Sequence, residues 1–245
     1  MQLSQKRDYS QLINRLKLAA KNISKVEIIG YIKNYGLNYP FSKIYIGKNN
    51  TRRVLISAGI HGDEPAGIET ICKFLEYEKY KPYLNSWDFT FIPCINPYGY
   101  EFNTRENNDR IDLNRMFKED SPPMEVKLSK SIFKKSFFNL TIELHEDCDS
   151  HGFYLFQKSN ESFGIELGYE IIKSVQKIIP INLKIEIDGI QAEKGLIHRI
   201  KNIKEMDWWP MAGYALFMNS NHCFTLETPT HLTMSVRVKA HLAAI

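Results

Sequence analysis

Cysteine is scarce in this chain. Only Cys72, Cys94, Cys148 and Cys223 occur among 245 residues. They lie far apart and match no zinc or redox spacing. Four buried, small apolar side chains are the expectation. Long hydrophobic runs are missing too: none approaches the roughly 20 residues that a membrane-spanning helix needs. The opening MQLSQKRDYSQLINRLKLAA is too polar for a signal-peptide core, so the expected location is the cytoplasm. Charge of one sign is also sparse, with 32 Lys and Arg against 28 Asp and Glu, a formal +4. The basic residues form no block, which argues against nucleic acid as partner, and the missing apolar run argues against a membrane. The small excess modestly favours an anionic substrate. There is no internal repeat, low-complexity tract or long linker. With 43% hydrophobic and 24% charged residues, the composition is that of an ordinary globular protein. A single domain over 1–245 is expected, large enough to form its core without disulfides.

What is present reads as alternating strands and helices. Residues 8–20 predict a helix. VEIIGYI (26–32) and FSKIYIG (41–47) predict strands joined by a turn. RVLISAGI (53–60) is nearly all apolar, the pattern of a strand covered on both faces. It stops at His61-Gly62-Asp63-Glu64-Pro65, and Pro65 suits the first turn of a helix running to about Lys79. DFTFIPCI (88–95) is a second buried strand, ended by Asn96-Pro97-Tyr98-Gly99. A helix is expected after Pro123, and NLTIELHED (139–147) reads as a strand ending in a polar cluster. Residues 162–179 have helical periodicity, and 182–200 fit a strand with loops. GYALFM (213–218) and HCFTLET (222–228) read as strands that could be neighbours, and 232–244 as a closing helix. The alternation predicts an α/β fold, a three-layer α/β/α sandwich around a mixed, mostly parallel sheet.

Polar residues stand just beyond several strand ends, where sites form in such folds. His61 and Glu64 offer an imidazole and a carboxylate three residues apart. A surface loop with a helix-starting acid accounts for that pair equally well. His145, after LTIEL, is the candidate third ligand, with Glu146, Asp147 and His151 as rivals. Two nitrogens and one carboxylate make a catalytic zinc set with one position left for water. The stretch NTRENNDRIDLNRMF (103–117) carries Arg105, Arg110, Asn114 and Arg115. Arginine suits a bidentate grip on a carboxylate and can stabilise a developing oxyanion, although an ordinary charged loop has the same composition. Asp112 could orient a ligand histidine. Glu227 ends the apolar run HCFTL; it reads either as an exposed strand-end acid or, close to a metal-bound water, as a group that moves a proton.

In order, His61-x-x-Glu64, Thr104-Arg105, Asp112-x-Asn114-Arg115, His145 and Glu227 resemble the M14-type zinc carboxypeptidases. That group includes the murein peptide amidases and the aspartoacylase and succinylglutamate desuccinylase branch. The resemblance spans roughly residues 40–230, the expected core. It implies one zinc ion per chain on His61, Glu64 and His145, with Glu227 as general base and acid. It further implies Arg105 as the group polarising the scissile carbonyl and Asn114 and Arg115 as the carboxylate grip. Asp112 would support His61.

The implied substrate is a peptide or N-acyl amino acid with a free carboxylate, hydrolysed at the adjacent amide without an organic cofactor. The chain is short beside the digestive carboxypeptidases. Those enzymes hold a tyrosine over the substrate, and Tyr214 does not match its spacing. Trp208 and Trp209 could wall a pocket or pack in the core. The form of residues 104–115 resembles the small bacterial amidase-like members. The aspartoacylase branch generally carries a further C-terminal domain, and none is evident, which favours a peptidase or amidase. The alternatives are an N-acyl amino acid deacylase and a non-catalytic binding module. The binding module is disfavoured because simple binding requires neither Glu227 nor Arg105. A nuclease or phosphatase would use more carboxylates.

Overall fold

After the exposed Arg53, the rest of RVLISA is buried and, save for Ser57, apolar, because it lies inside the sheet with a parallel neighbour on each side. The computed structural model describes residues 7–21, 23–34, 36–160, 164, 166–198 and 202–245. In chain order the elements begin α1 (Tyr9–Ala20), β1 (Val26–Asn34), β2 (Leu37–Ile46), β3 (Arg52–Ala58) and α2 (Pro65–Glu76). They continue β4 (Trp87–Ile92), α3 (Pro97–Phe102), α4 (Met124–Lys135), β5 (Leu140–Asp147), β6 (Tyr154–Ser159) and α5 (Glu166–Val175). The last are β7 (Glu186–Ile187), β8 (Ile190–Gln191), β9 (Leu196–Ile197), α6 (Met211–Phe217), β10 (His222–Pro229) and α7 (Met234–Ala244). The first part of the helix expected over 162–179 and the end of the 182–200 segment fall partly outside the described residues.

Eight strands form one sheet in the order β1-β2-β4-β3-β5-β10-β6-β9. The ladders from β4 through β3 and β5 to β10 are parallel, as is β6 with β9. Those of β1, β2 and β6 toward the centre are antiparallel. The four central parallel strands therefore present their carboxyl ends along one edge.

The alternation of side chains across a strand sorts the layers. On β5 and β10, Ile142, Leu144, Phe224, Leu226 and Thr228 face one side. There Leu144 meets Gly67 of α2, and Thr228 Oγ1 lies 3.1 Å from His241 Nε2 of α7. Helices α1 and α5 complete that layer, α1 through Arg15 with Glu69 and Glu76 of α2, and α5 against α7. Glu143, His145, Thr225 and Glu227 face the other side with α6 and α4, which touch through Tyr214 and Phe133, ring centroids 5.7 Å apart.

Local chemistry explains the element boundaries. Asp8 caps α1 by accepting from Gln11 N at 3.0 Å. Pro65 occupies the first turn of α2, where its missing N–H costs nothing. Asn96 caps α3, accepting from Gly99 N at 2.8 Å, so the segment expected only to end β4 begins a short helix.

Two expectations are corrected. GYALFM is part of helix α6, not a strand beside β10. A short apolar run cannot be told from a buried helix by pattern alone, and Met, Ala and Leu are good helix formers. Pro210 opens the turn, and Met211 N donates to Asn114 Oδ1 at 2.9 Å. Cys148 is exposed, because it lies in the bend after β5, while Cys72, Cys94 and Cys223 are buried. Among the described residues, no helix is long and apolar enough to cross a membrane.

Candidate active site

The carboxyl edge of the central strands gathers the residues singled out above. His61 and Glu64 occupy the turn between β3 and α2, and His145 lies in the last part of β5. Their donor atoms all fall within 4.8 Å of one another, and all three residues are buried. His61 Nδ1 lies 2.6 Å from one Glu64 oxygen and His145 Nδ1 2.8 Å from the other. Both imidazoles thus turn the same nitrogen toward one carboxylate.

The turn achieves this by close backbone approach. Gly62 packs on the backbone of Gly99 and Tyr100, and no side chain would fit between them. Arg7 Nη1 donates to the Gly62 carbonyl at 3.4 Å and to the Tyr100 carbonyl at 3.2 Å.

Each of the two histidines has a carboxylate behind it. His61 Nε2 is 3.2 Å from Asp112 Oδ1. His145 Nε2 is 3.7 Å from Glu143 Oε2, two residues back on the same strand face. Sequence reasoning missed Glu143, although the i−2 spacing on a strand was a usable signal. Its carboxyl is fully buried without a hydrogen-bond partner, and burial raises its pKa against the opposing pull of His145.

The electrostatics are dominated by crowding. Burial would raise Glu64, but His145 and His61 outweigh it and bring the carboxyl down to about 2. Burial opposes the charge on His145, yet Glu64 and Glu143 carry it well above the usual histidine range. Asp112 is likewise pushed up by burial and held below the ordinary carboxylate range by His61, Arg105 and Arg115. Three donors of this chemistry, each ring held from behind, could hold a divalent metal.

A cavity of about 620 Å³ opens on the triad. Arg105, Asn114, Arg115 and Glu227 line it, whereas Asp112 stands behind His61. Arg105 donates to Asp112 Oδ2 at 3.1 Å and reaches Glu64 Oε1 at 3.5 Å. Asn114 lines the cavity, and its Oδ1 accepts from Met211 N of α6 at 2.9 Å. Arg115 lies over Trp208, its guanidinium carbon 3.9 Å from the ring centroid. Glu227 is half-buried in the strand-to-strand register of His145 and Tyr154. Desolvation raises its carboxyl well above the ordinary value despite the opposing effect of His145.

The rivals of His145 are engaged elsewhere. Glu146 points to the opposite face and pairs with Arg237. Asp147 accepts from Tyr154 Oη at 2.9 Å. His151 packs against His231 with ring centroids 5.7 Å apart. Trp208 walls the cavity, while Trp209 packs inward and donates from Nε1 to the Ile203 carbonyl at 2.7 Å. Tyr214 is buried against Phe117 and Phe133 and takes no part in the lining.

The far wall was missed from sequence. Tyr154, Phe156 and Lys158 share one face of β6, and Asp188 caps the β7–β8 hairpin. Asp188 and Gly189 both have positive φ, 52° and 70°, in a two-residue loop. Asp-Gly between Ile187 and Ile190 was a readable hairpin signal.

Mixed sheet, central parallel strands and a His–Glu–His pocket at their carboxyl edge define an M14-like zinc carboxypeptidase fold. Residues 50–176, just over half of the chain, match the succinylglutamate desuccinylase/aspartoacylase catalytic domain, and the chain belongs to that family. Among solved structures, a candidate metallopeptidase from Shewanella amazonensis is similar with a TM-score of 0.83 at 18% identity, covering 97% of this chain and 90% of that one. A metallo-carboxypeptidase from Burkholderia cenocepacia has a TM-score of 0.70 at 16% identity, over 98% and 68% of the chains. The metallo-carboxypeptidase from Pseudomonas aeruginosa in complex with (2-guanidinoethylmercapto)succinic acid has 0.68 at 16%, over 96% and 66%. At these identities the likeness is one of fold. No curated protein matches the chain.

Proposed function

We propose that the protein is a zinc-dependent hydrolase of an amide bond beside a free carboxylate, acting as a carboxypeptidase or amidase on a peptide or cell-wall peptide. The observation that carries the reading is the convergence of the His61–Glu64–His145 triad, Glu227, Arg105 and Arg115 on one cavity. Zinc, when bound by the triad, supplies Lewis acidity toward a carbonyl and toward water. Arg115 and the Asn114 amide hold the substrate carboxylate, which fixes the scissile bond near the triad and lowers the entropic cost of attack. Arg105 swings from Asp112 to the carbonyl oxygen and stabilises the charge that develops there. Glu227 takes the proton of the attacking water and returns it to the leaving nitrogen. Asp112 holds the His61 ring by its outer nitrogen. A pure binding module would need neither Glu227 nor Arg105.

The other half of the wall bears on the substrate. Asp147, Asp149 and Asp188 outnumber Lys158 there, a balance that favours an amino or guanidino group over a second carboxylate. This supports a peptide. The bound ligand of the Pseudomonas aeruginosa structure also joins a guanidine to carboxylates. The second reading, a deacylase of N-acyl amino acids, is favoured by the family match over residues 50–176.

A mass-spectrometric screen separates the two. The zinc-loaded protein is offered free-acid peptides, their amidated forms, stem peptides, and N-acetyl and N-succinyl amino acids, with Glu227→Gln as blank. Cleavage of free-acid or stem peptides is the expected result. Cleavage restricted to N-acyl amino acids would replace the first reading by the second. No cleavage by protein with a filled metal site would count against both.

A further inference from the structure

Glu146 follows the ligand His145 but its side chain leaves the site and enters the opposite face of the sheet. There it is fully buried, which for a carboxylate requires paired charge and hydrogen bonds. One oxygen accepts from Ala66 N at 2.7 Å, in the first turn of α2 and two residues after Glu64. The carboxylate pairs with Arg237 of α7. In the reverse direction, the backbone N–H of Glu146 donates to Glu64 Oε2 at 3.2 Å. Residue 146 and the segment 64–66 are therefore tied twice, once through each side chain. These segments are 80 residues apart in sequence and carry the two halves of the triad.

A second link runs through the same helix. His241 of α7 meets Thr228 at 3.1 Å, and Thr228 Oγ1 donates to the His145 carbonyl at 3.4 Å. Helix α7 thus reaches the metal-bearing strand from the face that substrate never sees.

We propose that Glu146, held by Arg237, is a positioning residue that locks Glu64 to His145 across the sheet, and that α7 sets the geometry of the metal site from behind. This rests on the reading of His61, Glu64 and His145 as metal ligands. A cap on α2 alone would stabilise the fold without affecting the metal. A brace between two ligand-bearing segments raises metal affinity, because the donors need not be ordered when the ion binds. Glutamine retains an acceptor for Ala66 N–H, whereas alanine removes the link.

The test measures the zinc dissociation constant by competition with a chromophoric chelator, and the visible spectrum of the cobalt(II)-substituted protein. Wild type, Glu146→Ala and Glu146→Gln are compared, each first shown to be folded by circular dichroism. Glu146→Ala is expected to weaken zinc by about tenfold or more, within the range typical of groups that orient ligands, and to alter the cobalt spectrum. Glu146→Gln is expected to restore most of both.

If Glu146→Ala does not fold, the apolar pair Glu146→Leu with Arg237→Met takes its place. It removes both charges together and is expected to show the same weakening. Wild-type zinc affinity and an unchanged cobalt spectrum in folded Glu146→Ala or in the apolar pair would overturn the proposal. So would equal weakening in the alanine and glutamine variants, which would assign the effect to lost charge. His61→Ala serves as the control for the underlying reading. If it binds zinc as tightly as wild type, the ligand assignment fails first, and the brace with it.

Discussion

Glu227 stands directly across the parallel β5–β10 ladder from His145, so the proposed proton carrier and a proposed metal ligand are held at one register position of a central sheet. No loop movement is needed to bring them together.

Replacing Glu227 by Gln should therefore leave metal binding intact while removing the group that moves the proton. Turnover is expected to fall by about 10²–10⁴-fold, with zinc content by atomic absorption unchanged. Loss of the metal with turnover retained would remove Glu227 from its role.

Arg115→Ala should raise KM for a free-acid substrate by roughly ten- to hundredfold, the scale of a lost charge-assisted contact, with a far smaller effect on the C-terminally amidated analogue. Trp208→Ala should act in the same direction more weakly, because the stacked ring only holds the guanidinium in place. Equal losses on acid and amide would contradict a carboxylate grip.

Asp112→Ala should weaken zinc binding by about 10–100-fold, since Asp112 faces the outer nitrogen of His61. Chelator competition measures this directly. An unchanged dissociation constant would make Asp112 only a partner of Arg105.

Gly62→Ala should cost about 1–3 kcal/mol of stability, or more because backbone lies on both sides of the contact. The turn that carries His61 and Glu64 would separate from Gly99, so a lowered Tm should be accompanied by weaker zinc binding. A neutral result in both measurements would contradict the close packing.

His241 supplies a pH dependence whose sign is fixed. It is fully buried, and desolvation lowers its pKa to about 3, against about 6.5 in an unfolded chain. Between these values the unfolded chain takes up a proton that the folded chain does not. The contribution is complete above about pH 6.5 and declines as pH falls toward 3, with a slope up to about 1.4 kcal/mol per pH unit. Urea unfolding between pH 5 and 6.5, above the ordinary carboxylate range, should give a stability slope more positive in wild type than in His241→Gln by about this amount, the difference removing the opposite contribution of the protonated His145. Identical slopes would mean that His241 is protonated in the fold.

The centre of the candidate site was legible because His61, His145 and Glu227 each follow an apolar run. His61 follows RVLISAGI, His145 follows LTIEL and Glu227 follows HCFTL, and buried parallel strands must be that apolar. Their polar ends could then be read as one edge before any strand order was known. Residues whose position depends on distant packing were less visible. Tyr154 and Phe156 lie in a strand whose pairing with β10 no local pattern announces. Asp188 reaches the cavity only because its hairpin folds over it. Residues 213–218 misled because six apolar residues carry too little period to separate strand from helix. Asn114, nearly a hundred residues earlier, supplies the acceptor that begins the turn.

By itself the sequence determined the alternating strand–helix class, the buried central strands and which candidate donors follow them, since these follow from local hydrophobic period and side-chain chemistry. Only the tertiary structure decided which carboxylate serves which purpose. Glu143, Glu146 and Asp147 are near neighbours in sequence, yet one backs a histidine, one braces a helix and one meets a tyrosine. The physical reason is the two-residue period of the strand, which sends adjacent side chains to opposite layers, and the identity of what those layers present is set by residues far away in the chain.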